Sequence, residues 1–103
     1  MESYVQDALL EWKEEMLKQK LEIDEEYEKV KSDLQLYSYK YGITKQVIQS
    51  TINDKIINNI KTTYQKPFEE KFNDLKEYIR ELEEKRKVFQ MFIEKIEKVS
   101  ENE

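Results

Sequence analysis

The chain contains no cysteine and no histidine. Disulfides, thiolate nucleophiles, zinc sites built from the usual ligands and imidazole acid–base catalysis are therefore outside its chemistry. It has one glycine, Gly42, and one proline, Pro67. A single glycine cannot build a phosphate-cradling loop or a dinucleotide fingerprint, which need several glycines to let backbone approach phosphate. Two turn-forming residues are also too few for an all-β or α/β chain, whose many reversals depend on them. No apolar run approaches ~18 residues, so no membrane-spanning helix and no membrane contact are expected. The start of the chain, Met1 to Asp7, is acidic rather than basic and does not read as a secretory signal. A cytoplasmic, non-enzymatic protein is expected, with no catalytic residue, no cofactor and no metal.

What the chain has in quantity is charge: 40% of residues are Asp, Glu, Lys or Arg against 38% apolar, with a net charge of −5. That is too polar for a thick core but suits helices that bury one stripe each. The apolar residues recur at regular spacing, which disordered chains lack. A length of 103 residues implies one helical domain over 1–103. Lys, Asn, Ile and Tyr are frequent and Ala is scarce, a bias that suggests an AT-rich genome such as that of a low-GC bacterium or its phage.

Val5, Leu9, Trp12, Met16, Ile23, Tyr27, Val30, Leu34, Tyr37 and Tyr41 recur with the α-helical period, predicting a helix over about 3–41. Gly42 follows the last of them, where a glycine commonly ends a helix, and Thr44 suits the cap of the next. Ile48, Ile52, Ile56, Ile60 and Tyr64 then recur every four residues, predicting a second helix over about 44–65. Pro67, followed by Glu69 and Glu70, reads as a helix start. Phe68, Phe72, Leu75, Ile79, Leu82, Arg86, Phe89, Ile93 and Ile96 step by alternating fours and threes, the heptad spacing of a coiled-coil seam, over a third helix of about 67–99. Val88, Met91, Phe92 and Val99 broaden that stripe. Arg86, the one charged seam residue, is expected to set register or to pair with a Glu of the facing helix. The fold class is all-α, a long helical hairpin or three-helix arrangement with coiled-coil packing.

A reversal at Gly42 would set Tyr27 opposite Ile57, Trp12 opposite Phe72 and Val5 opposite Ile79. Helix 1 then runs out, and 82–99 extend past it by ~27 Å. Their apolar side chains would need cover. The expectation that follows is an oligomeric assembly or adaptor module, a homodimer or a chain with a helical protein partner. Leu82, Arg86, Phe89, Phe92, Ile93 and Ile96 are the expected oligomer interface.

Residues 37–52 offer an alternative. Tyr37, Ser38, Tyr41, Gly42, Ile43, Thr44, Ile48 and Ile52 resemble the helix-turn-helix of bacterial regulators and transposase-type DNA-binding domains, with Thr51 standing where an aliphatic is usual. The resemblance implies a small DNA-binding regulator using 37–53. Lys40, Lys45, Gln46, Gln49, Ser50 and Asn53 would then contact nucleic acid, Gln and Asn reading adenine edges. The centre of the chain, 38–66, is basic, with five lysines against one aspartate. The arms are acidic, but the centre has no Arg to favour phosphate or guanine. A third reading treats the acidic runs at 22–28 and 81–84 as mimics of nucleic-acid phosphate, in an inhibitor of a nucleic-acid-binding enzyme. Solvated helix faces account for such runs more simply. The tyrosines fall mostly on the apolar stripe, as packing residues do; Tyr39 lies off it.

Overall fold

The computed structural model describes residues 2–101, and among them the fold is all-α with no strand. Helix α1 spans Ser3–Gln49. The chain reverses at 50–53. Helix α2 spans Asp54–Ile60, a π-helical segment covers Lys61–Gln65, and α3 spans Lys66–Glu101. No helix of the described residues is long and apolar enough to cross a membrane.

The expected break at Gly42 does not occur: α1 passes through it. A helix-ending glycine is needed where φ is positive, and no described residue has positive φ. The 3.6 period carries on instead through Tyr37, Tyr41, Thr44 and Ile48, all half-buried. Thr44 does not cap a new helix; its hydroxyl donates to the Lys40 carbonyl one turn back at 2.7 Å. Packing of the stripe thus outweighs the roughly 1 kcal/mol helix penalty of one glycine.

The reversal lies eight residues later and uses no glycine. The last turn of α1 tightens, with the Ser50 N–H donating to both Gln46 and Val47 carbonyls and the Thr51 N–H to Ile48. The Thr51 hydroxyl takes up the Val47 carbonyl at 2.6 Å. Asn53 then caps α2. Its backbone is extended, and its side-chain oxygen accepts from the N–H groups of Lys55 at 3.0 Å and Ile56 at 3.1 Å. Asp54 follows in the first turn, where a negative charge meets the positive end of the helix. Ile52, which the four-residue spacing placed on a buried face, sits in this turn and is 95% exposed.

Pro67 does not break the second arm. It lies in the first turn of α3, directly after the π segment, where the Lys66 N–H reaches back five residues to the Lys61 carbonyl. A proline inside a helix removes one donor and crowds the carbonyl four residues earlier. The wider turn beside it is a known way for a helix to absorb that disruption without ending.

The two arms consequently match in length. α1 has 47 residues, and α2, the π segment and α3 have 7, 5 and 36, or 48 in all. The overhang expected beyond helix 1, and the surplus of helix 3 over helix 2, both came from placing the turn at Gly42. Neither exists.

The chain forms two compact units: unit 1 comprises Met1–Glu28 and Arg80–Glu103, unit 2 comprises Lys29–Ile79. In unit 1 the early part of α1 lies antiparallel to the late part of α3, around buried Leu82, Ile93 and Ile96. Four polar contacts fix its register: Lys13 with Glu97 at 2.9 Å, Lys20 with Gln90 at 2.7 Å, Asp24 with Arg86 at 2.8 Å and Tyr27 with Glu83 at 3.4 Å. Steps of seven, four and three along α1 are answered by the same steps backward along α3. The Arg86 partner is an aspartate of the facing helix rather than a glutamate. In unit 2, Val30 and Leu75 are buried. Tyr37 meets Phe68 edge-on at 6.1 Å, Tyr64 meets Phe68 at 6.2 Å, and the Lys40 ammonium lies over both Tyr37 and Phe68.

Candidate protein–protein interface

A helix with a single neighbour can bury only a narrow stripe, so side chains just off the seam stay open. In unit 1 those side chains are large and apolar on one flank. Trp12 of α1 meets Phe92 of α3 edge-to-face at 5.8 Å, and Phe89 packs on Phe92 at 5.9 Å. Beside them is a groove of about 260 Å³, lined by Leu9, Trp12, Phe92, Lys95, Ile96 and Val99. A second hollow of about 230 Å³ lies against Val88, Met91, Phe92 and Lys95. Phe92 and Lys95 belong to both, and the lysine contributes its methylene stem. Trp12, Phe92, Met91 and Val99 are all exposed. They fall together because Val88, Phe92, Lys95 and Val99 repeat at steps of four, three and four on α3.

The expected interface residues divide three ways. Leu82, Ile93 and Ile96 are buried inside unit 1, so the chain's own α1 covers the seam assigned to a second chain. Arg86 and Phe89 are half-buried. Arg86 sits between Asp24 and the Tyr27 ring, 4.5 Å from its centroid. Its 2.8 Å contact with Asp24 Oδ1 is ionic, since that oxygen receives no well-aligned hydrogen bond. Phe92 alone is open, in company with Trp12, Met91 and Val99, with Val88 half-buried beside them. The heptad reading found the seam; the side chains along its edge form the surface. The expectation of Phe72 opposite Trp12 gives way to Phe92, and that of Ile57 opposite Tyr27 to Glu83, for the same reason: the turn lies at 50–53.

The residues expected to touch nucleic acid lie in unit 2. Lys45, Gln46, Gln49, Ser50 and Asn53 are exposed and Lys40 is half-buried. They do not form a helix-turn-helix, because 37–49 is one uninterrupted helix and the motif's turn at Gly42 is helical. Asn53 spends its side-chain oxygen on capping α2, and Lys40 is engaged with two aromatic rings. Unit 2 has an apolar hollow of its own, about 260 Å³, lined by Ile43, Thr44, Val47, Ile60 and Tyr64. Among the described residues, no group of three or more carboxylates is placed to hold a metal ion.

No family of known proteins, no curated protein and no solved structure matches the chain.

Proposed function

We propose that this is a non-enzymatic helical module of the coiled-coil type, working in assembly or as an adaptor, and that it binds a protein through the open flank of unit 1. The observation that carries the reading is the groove beside Trp12 and Phe92. Aromatic residues and methionine are enriched at the centres of protein interfaces, and here Trp12, Met91 and Phe92 stand exposed together. Methionine also adapts its shape to a partner at little cost. The charged pairs on the seam hold the helices that present the groove.

A photo-crosslinking amino acid in place of Met91, introduced in cells that make the protein, tests this. The control position is Glu14, which is exposed and lies about 200° around α1 from Trp12. Protein adducts at Met91 and not at Glu14 are expected. Equal labelling at both positions, or none at either, removes the reading.

A further inference from the structure

Two properties indicate what occupies the groove. The first is the apolar surface left open on each unit: Trp12, Met91, Phe92 and Val99 on unit 1, and Ile43, Val47 and Tyr64 on unit 2.

The second is charge. Unit 1 carries nine basic and seventeen acidic side chains, net −8; unit 2 carries nine basic and six acidic, net +3. Two copies of unit 1 set face to face would repel, while unit 1 of one copy and unit 2 of another attract. We infer that the Trp12–Phe92 groove of unit 1 is covered by unit 2 of a second copy of this chain, along the exposed apolar side chains of Ile43, Val47 and Tyr64. The inference rests on reading the groove as a protein interface. On the acidic side, Glu84 and Glu81 lie one and two turns before Val88 on α3 and are exposed. On the basic side, Lys55 and Lys61 flank Ile56 and Ile60 in sequence and are exposed. Opposed charges fix which unit meets which, and the exposed apolar side chains supply the buried contact.

Sedimentation equilibrium of the full chain at low and high salt tests the inference. A mass above that of one chain is expected, with association weakening as salt rises. Lys55→Glu with Lys61→Glu should weaken self-association about tenfold, and Glu81→Lys with Glu84→Lys likewise. Mixing the two variants should restore a complex, because the reversed charges meet again. Circular dichroism confirms that each variant stays helical; all four positions are exposed, so the fold does not depend on them. A single-chain mass at every salt concentration overturns the inference. So does association that strengthens with salt, which would mean unit 1 against unit 1, or a mixture that fails to associate. A monomer that still crosslinks a different protein through Met91 removes the second copy and keeps the interface. A monomer that crosslinks nothing removes both.

Discussion

The two units use the same pair of long helices and hold them differently. Unit 1 is pinned across its seam by charged and polar partners: Lys13 with Glu97, Lys20 with Gln90, Asp24 with Arg86, Tyr27 with Glu83. Unit 2 is held by aromatic edges, with Lys40 laid over Tyr37 and Phe68. The first arrangement specifies register, because a polar side chain in the wrong place is left without its partner. The second tolerates adjustment, because ring edges and a cation over a ring accept a range of angles. The local disturbances also fall in unit 2: the glycine, the turn, the π segment and the proline all lie between Lys29 and Ile79. A seam made of rings can accommodate them.

The largest expected effect tests the cores. Leu82→Ala in unit 1 and Leu75→Ala in unit 2 should each cost about 2–4 kcal/mol, toward the low end because a two-helix seam can partly collapse. Amide hydrogen exchange then tells whether the units are separate in energy as well as in contacts. Faster exchange confined to the mutated unit would sharpen the comparison, and equal acceleration in both would break it. Pro67→Ala should stabilise the chain by up to about 3 kcal/mol in denaturant unfolding, since no break is present for the proline to serve. A loss of stability would mean that the π turn is itself needed by unit 2. Arg86→Ala should cost about 1 kcal/mol by removing both the Asp24 pair and the Tyr27 stack, and the loss should shrink in high salt. A salt-independent loss would assign the arginine's role to packing. The smallest change is Gly42→Ala, expected to raise stability by about 0.5–1 kcal/mol. An added Cβ meets nothing within 4 Å and the backbone is already helical. Destabilisation there would restore a turn at Gly42.

Much of the architecture was legible. The spacing of apolar residues showed that both arms are helical and marked the buried seam of α3, and Arg86 was expected either to set register or to pair with a Glu of the facing helix. The position of the turn was not legible from glycine and proline. Gly42 occupies a site where helical φ suits it, and Pro67 follows a π turn that absorbs it. The real turn was written in Ser50, Thr51, Asn53 and Asp54, residue types that favour helix ends, and the Thr51 and Asn53 side chains bond the backbone there. Ile48, Ile52 and Ile56 masked that signal, because a four-residue spacing continues across a turn as readily as along a helix. The open flank of unit 1 was half legible. Val88, Met91, Phe92 and Val99 were visible as a widened stripe. Which of them stay open depends on the register with α1, and an eight-residue error in the turn hides it.

Trp12 is the chain's one tryptophan, and it stands at the mouth of the groove, 41% exposed and edge-on to Phe92. An indole half in water emits at longer wavelength than one sealed from it. Whatever settles on that flank displaces the water around this ring. The unmodified protein therefore carries its own optical gauge of occupancy, in which a shift of emission to shorter wavelength on concentration or titration marks the groove as filled.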